Sequence, residues 1–73
     1  MYRMNRRLVS QKDIDMARRY SYGYIGGEEV AQKATDDQIA QLIVLRDRAA
    51  YQFNKSRQYE RQFDNIVESI ESR

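Results

Sequence analysis

The sequence predicts an all-α fold in which two short N-terminal helices pack on one long C-terminal helix. The chain contains no proline, and its only three glycines lie together at positions 23, 26 and 27. A capping box at Thr35 and Gln38 then begins a stretch in which neither glycine nor proline recurs. Since glycine and proline are the residues that interrupt helices, we expect helix on both sides of the glycine cluster.

The length of 73 residues allows at most one domain, and we interpret 1–73 as a single small helical domain. Residues 1–9 place Arg3, Arg6 and Arg7 among apolar side chains, which indicates a basic, partly flexible arm. A chain this short buries a thin core unless a staple or self-association enlarges it. Because the chain has no cysteine, self-association is the remaining way to enlarge the core.

Two short helices are predicted in the N-terminal half. The first covers 11–22, with Ser10 as N-cap, Asp13 in the first turn and Gly23 as a left-handed residue after its last turn. The second covers 28–34 and begins with two glutamates, which suit the positive end of a helix. Between them lies a loop rich in tyrosine and glycine.

The long helix is predicted over 36–71, about 54 Å of continuous helix at 1.5 Å per residue. Its apolar positions form two clusters on different faces, separated by the polar residues 54–58. Either the helix bends or breaks there, or its first half packs on its own chain and its second half on another chain. We favour the second explanation because 54–58 contain no helix-breaking residue.

The second apolar cluster is therefore the predicted partner or oligomer interface, through which the chain forms a homo-oligomer. An apolar face of this kind requires burial against a copy of the chain or against another protein. The side chains of this predicted interface are Tyr59, Phe63, Ile66, Val67 and Ile70.

Composition argues against catalysis and against a metal or cofactor site. The absence of histidine and cysteine removes the commonest general base and the thiol nucleophile, so the serines have no partner that could activate them. Acidic neighbours such as Asp36 and Asp37 are explained by helix capping. No apolar run approaches the length of a membrane span, and no secretory signal is evident, which favours a cytoplasmic protein without membrane contact.

Nucleic-acid binding is one alternative function. Residues 1–24 carry six basic and two acidic residues, interleaved with four tyrosines, and arginine with tyrosine can contact phosphates and stack on bases. The run Val30–Ala34 followed by Ile39–Ile43 also resembles a helix-turn-helix module over about 14 residues. The likeness fails at the turn, where Thr35, Asp36 and Asp37 replace the usual glycine-containing turn.

A small anionic ligand, such as a nucleotide held between protomers, is a second alternative. Gly26 and Gly27 precede a helix start and could offer backbone N–H groups to a phosphate, although Glu28 and Glu29 follow directly. Arginine and tyrosine side chains nearby could complete an aromatic, cationic pocket. The candidate contacts for an anion or a nucleic acid are Arg3, Arg6, Arg7, Arg18, Arg19, Tyr20, Tyr22 and Tyr24.

The function that the sequence favours is a small non-enzymatic interaction protein. The net charge of only +2 does not by itself indicate a nucleic-acid or membrane partner. A regulator or inhibitor that binds another protein and self-associates is the most natural role for so small a helical chain.

Overall fold

The computed structural model describes residues 9–51 and 56–72, and all of the regular secondary structure in these residues is helical. Helix α1 covers Gln11–Tyr20, a 3₁₀ helix covers Tyr22–Ile25, α2 covers Glu28–Lys33, α3 covers Asp36–Tyr51 and α4 covers Ser56–Glu71. The molecule measures 31 × 27 × 25 Å. The all-α prediction is confirmed, and the predicted arm at 1–9 lies outside the described residues except for Val9.

Both predicted caps are present. The Ser10 hydroxyl accepts a hydrogen bond from the Asp13 backbone N–H at 3.1 Å, and the Asp13 carboxylate accepts one from the Ser10 N–H at 3.3 Å. Likewise the Thr35 hydroxyl accepts from the Gln38 N–H at 3.2 Å, and the Gln38 amide oxygen accepts from the Thr35 N–H at 2.9 Å. Each box satisfies two backbone donors and fixes where α1 and α3 begin.

Helix α1 ends at Tyr20, two residues before the predicted end, and α2 ends one residue early. The expected loop after α1 is a 3₁₀ helix, which buries Ile25 completely while Tyr22 and Tyr24 remain exposed. The backbone has a positive φ at Gly26 and Gly27 and not at Gly23, so the left-handed residue expected at Gly23 is wrong. The reversal occurs three residues later, after the 3₁₀ helix has placed Ile25 in the core.

The prediction of a single helix over 36–71 is wrong. The chain forms two helices, α3 and α4, and α4 packs against α3 and α2 of the same chain. A helix of about 54 Å would exceed the longest dimension of the molecule, 31 Å. The physical reason is burial: a separate α4 can bury Phe63 and Ile70 in the chain's own core, which a continuous rod could not do.

The core is shared by every helix. Its fully buried large side chains come from α1, the 3₁₀ helix, α2, α3 and α4. They are Ile14, Ile25, Val30, Ile39, Leu42 and Ile70. Helix α3 contributes the most and contacts α1, the 3₁₀ helix and α4. The polar outer faces of α1 and α4 and the aromatic side chains of the 3₁₀ helix are left for solvent or a partner.

Candidate binding surface

The predicted interface on α4 lies inside the protomer. Phe63 is 6% exposed and Ile70 is fully buried, while Tyr59, Ile66 and Val67 are partly buried and pack on the same core. The apolar face of α4 thus finds its cover within the chain, and the need for a second chain that motivated the predicted interface is removed. Self-association itself stays a prediction.

Arg18, predicted as an anion or nucleic-acid contact, instead holds the turn between α2 and α3. Its guanidinium donates to the carbonyl oxygens of Ala31 at 2.6 Å and Ala34 at 2.9 Å. It also forms an ion pair with the Asp36 carboxylate at 2.7 Å. The last carbonyls of a helix have no partner within the helix, and Arg18 supplies one from α1. The guanidinium of Arg18 is therefore engaged in contacts within the fold.

The glycine pair after the 3₁₀ helix does not present backbone donors to a phosphate. The N–H groups of Gly26 and Gly27 both donate to the carbonyl oxygen of Tyr22, the latter at 2.8 Å. Gly27 caps α2, whose first turn carries Glu28 and Glu29. The anion-binding hypothesis thus loses both its backbone donors and Arg18.

Tyr24 belongs to a small polar and aromatic cluster that joins the 3₁₀ helix to α3 and α4. Its hydroxyl donates a short hydrogen bond to the Asp47 carboxylate, and its backbone carbonyl accepts from Arg46 Nε at 3.2 Å. The Arg46 guanidinium lies 4.4 Å from the centre of the Phe63 ring and 5.7 Å from that of Tyr24. Partial desolvation of the ring and the hydrogen bond to Asp47 raise the pKa of Tyr24 to about 12.

The remaining predicted contacts that the structure describes are exposed side chains of α1 and the 3₁₀ helix. Tyr20 is 77% exposed and Tyr22 is 45% exposed, and Arg19 is exposed beside them. Met16, which the sequence reasoning did not select, is also exposed, at 48%. The wheel position of Met16 could have indicated this, since it lies about 200° from Ile14 on the opposite face of α1. We call Met16, Arg19, Tyr20 and Tyr22 the α1 surface.

Two grooves flank Met16. One, of about 320 Å³, is lined by the α1 side chains Lys12, Asp15, Arg19 and Tyr20. The other, of about 470 Å³, lies between α1, the 3₁₀ helix and α3. We call the second the α1–α3 groove; its lining includes Val9, Asp13, Met16, Ala17, Ile43 and Asp47.

Five of the thirteen basic residues lie outside the part of the chain that the structure describes. Arg3, Arg6, Arg7, Lys55 and Arg73 fall outside it, whereas every acidic residue falls inside. The described residues therefore carry eight basic and eleven acidic side chains, a net charge of −3. Because the whole chain carries a net charge of only +2, its long-range attraction for nucleic-acid phosphates is weak.

No protein-family model matches the chain, and neither a curated protein nor a solved structure matches it. Over residues 9–51 and 56–72, no helix has the length and apolar character needed to cross a membrane. Within the same ranges, no group of three or more acidic side chains is placed to hold a metal ion.

Proposed function

We propose that this chain is a small non-enzymatic interaction protein, a regulator or inhibitor that acts by binding another protein. The observation that carries the proposal is the exposure of Met16, Tyr20 and Tyr22 on the α1 surface. Side chains at this level of exposure leave about half or more of their surface uncovered by their own chain. Methionine, tyrosine and arginine are the residue types enriched where proteins meet, because each combines a large contact area with adaptable or directional contacts.

The location of these side chains also supports protein binding. Met16 and Tyr20 are four residues apart on α1, so they lie one turn apart on the same face. Tyr22 follows on the 3₁₀ helix, and Arg19 adds a guanidinium that can stack on aromatic rings or pair with carboxylates. A partner that covers these side chains removes apolar area from water, which is the main favourable term in association.

The test is capture of binding proteins from an extract of the source cells, with a matched pair of double variants. Tyr20→Glu with Tyr22→Glu places two charges on the α1 surface. Gln58→Glu with Gln62→Glu places the same two charges on the exposed face of α4. We expect the tyrosine variant to lose specific partners that wild type and the α4 variant retain, as identified by mass spectrometry. Equal capture by both variants, or no enrichment over a blank support, would contradict the proposal.

Nucleic-acid binding through residues 1–8 is a second candidate, favoured by the charge distribution. Those eight residues carry three arginines, one tyrosine and no acidic residue. Because no carboxylate lies within this segment, its three arginines are the contacts to phosphate that we expect. We expect a duplex or single-stranded oligonucleotide to bind weakly and to dissociate as the salt concentration rises. Each phosphate contact that is removed should lower the slope of log K against log salt concentration by about 0.7 to 0.9.

Replacement of Arg3, Arg6 and Arg7 by alanine tests this second candidate. A control with Lys12, Arg57 and Arg61 replaced by alanine removes the same charge from the helical part of the chain. Loss of oligonucleotide binding in the first variant alone supports the candidate. If wild type retains no oligonucleotide at low salt, or both variants weaken binding equally, this function is rejected.

A further inference from the structure

We propose that the α1–α3 groove binds a basic peptide segment of a partner protein, seating one lysine or arginine between aliphatic side chains. This inference rests on the protein-binding function proposed above and names the chemistry of the partner. The groove has about 470 Å³ of open volume between α1, the 3₁₀ helix and α3. This volume falls within the range of about 300 to 1,000 Å³ that is usual for binding pockets.

The floor and walls of the groove suit aliphatic groups. Val9 and Ala17 are buried beneath it, and the partly buried Ile43 and the exposed Met16 form its sides. An unbranched thioether such as Met16 adapts its shape to different side chains, as is common at surfaces that bind peptides. The methylene stem of a lysine or arginine can lie along such an apolar surface while its charged end reaches the rim.

The charges on the rim of the groove favour an occupant with a positive charge. Asp13 and Asp47 are the charged residues among the described side chains that line the groove, and both are carboxylates. Asp13 accepts from the Ser10 N–H and Asp47 from the Tyr24 hydroxyl. A carboxylate has about four acceptor sites, so each has capacity for a further donor.

Among the described residues, no cation forms an ion pair with Asp13 or Asp47. The guanidinium of the neighbouring Arg46 lies 4.4 Å from the centre of the Phe63 ring and 5.7 Å from that of Tyr24. Lys12 and Arg19 line the other groove, on the far side of Met16. The α1–α3 groove thus pairs an apolar floor with two carboxylates, which is complementary to a basic side chain with aliphatic neighbours.

Selection from a random dodecapeptide library displayed on phage, with the full-length protein as target, tests the inference without a known partner. We expect the selected peptides to contain a lysine or arginine flanked by aliphatic residues. We expect Asp47→Asn to weaken their binding about tenfold, as loss of a charge-assisted pair should do. Because the amide oxygen of the Asp47→Asn side chain can still accept from the Tyr24 hydroxyl, the fold should be kept, and circular dichroism checks this.

Glu68→Gln is the matched control, since it removes one exposed carboxylate from α4, which contributes no side chain to the groove. Asp13→Asn is the second groove variant and should weaken the same peptides. Absence of enriched peptides, enrichment without a basic residue, or equal binding by Asp47→Asn and wild type would each overturn the inference. Enrichment that requires removal of residues 1–8 would assign the groove to the chain's own segment and would also overturn it.

The inference and the proposed function fail separately. If capture of cellular proteins depends on Tyr20 and Tyr22 while Asp47→Asn leaves peptide binding unchanged, the function stands and the groove assignment falls. If neither surface variant changes capture or peptide binding, both are rejected.

Discussion

The guanidinium of Arg18 joins α1 to the end of α2 and the start of α3. A sequence pattern could show Arg18 and Arg19 only as two adjacent cations. The fold separates them, because Arg18 reaches the carbonyls of Ala31 and Ala34 while Arg19 remains exposed. Such a role depends on contacts 13 and 16 residues away along the chain, which neither charge nor local spacing can indicate.

We expect Arg18→Ala to destabilise the protein by about 2 kcal/mol, since hydrogen bonds to charged groups contribute about 1.5 to 3 kcal/mol and two carbonyls lose their donor. Urea unfolding followed by circular dichroism measures the change. Arg18→Lys should fall between wild type and Arg18→Ala, because an ammonium lacks the planar fork that serves several acceptors at once. Arg19→Ala is the control and should change stability by less than about 0.5 kcal/mol. Equal stabilities for Arg18→Ala and Arg19→Ala would contradict the assigned role.

Tyr24 gives a prediction in the alkaline range. Partial desolvation of the ring and the hydrogen bond to Asp47 raise its pKa from 10.0 to about 12, so the folded protein holds this proton more tightly than the unfolded chain does. The contribution of Tyr24 to the free energy of unfolding is therefore fully present below pH 10. It is lost as pH rises toward 12, because Tyr24 loses its proton at a lower pH in the unfolded chain than in the folded protein. Ultraviolet absorbance of tyrosinate should show a step near pH 12.

Two phenylalanine variants assign that step. Tyr24→Phe should abolish it and should also remove the associated loss of stability between pH 10 and 12. Tyr20→Phe, at a tyrosine that is 77% exposed, should retain it. If the late step persists in Tyr24→Phe, the hydrogen bond to Asp47 does not hold the proton as the geometry indicates.

At the scale of helices, the sequence predicted beginnings better than ends. The predicted N-cap at Ser10 and the predicted capping box at Thr35 are local signals, since each hydroxyl bonds a backbone group three residues away, and both are confirmed. The separation of α3 from α4 has no such local signal. It follows from burial of Phe63 and Ile70 against distant elements, and tertiary packing overrides helix propensity. For the same reason, the sequence alone could not show that the apolar face of α4 belongs to the core.

The contact between the loop after the 3₁₀ helix and α4 requires glycine at position 26. A Cβ added there would lie 2.7 Å from Val67 Cγ2, and the backbone φ is +114°. We expect Gly26→Ala to destabilise the protein by about 2 to 4 kcal/mol, through backbone strain of about 1 to 3 kcal/mol together with the clash. Thermal and urea unfolding measure this change.

Variants at the other two glycines distinguish backbone strain from the clash with Val67. Gly27→Ala shares the positive φ but meets open space, so it should show the strain alone. Gly23→Ala has neither problem and should be neutral or slightly stabilising, by up to about 1 kcal/mol. Gly26→Ala combined with Val67→Ala should recover part of the stability that is lost to the clash and none of the stability that is lost to backbone strain. If all three single variants behave alike, the close approach of α4 to this loop is wrong.

At the scale of the whole molecule, the exposed surface was only partly predictable. Tyr20 and Tyr22, which the sequence predicted as contacts, are exposed, and their role in contact stays a prediction. The sequence did not indicate the exposure of Met16 or the contacts of Arg18 within the fold, because both depend on which face α1 turns toward α2 and α3. The α1–α3 groove brings Asp13 and Asp47 from two different helices, so no local pattern could have shown it.

The apolar face of α4 is covered by the core of its own chain. Replacing Phe63 and Ile66 together with aspartate should unfold the chain rather than separate folded subunits, because both side chains pack into the protomer's own core. Burying two unpaired carboxylates costs several kcal/mol each, which is comparable to the whole stability of a small domain, about 5 kcal/mol. Circular dichroism should therefore show loss of helix at every protein concentration. The control, Gln62→Asp with Asn65→Asp, adds the same charges to exposed positions on α4 and should stay folded. If sedimentation instead shows a wild-type oligomer and a smaller, fully helical variant, the apolar face of α4 is an interface between chains, as the sequence first suggested.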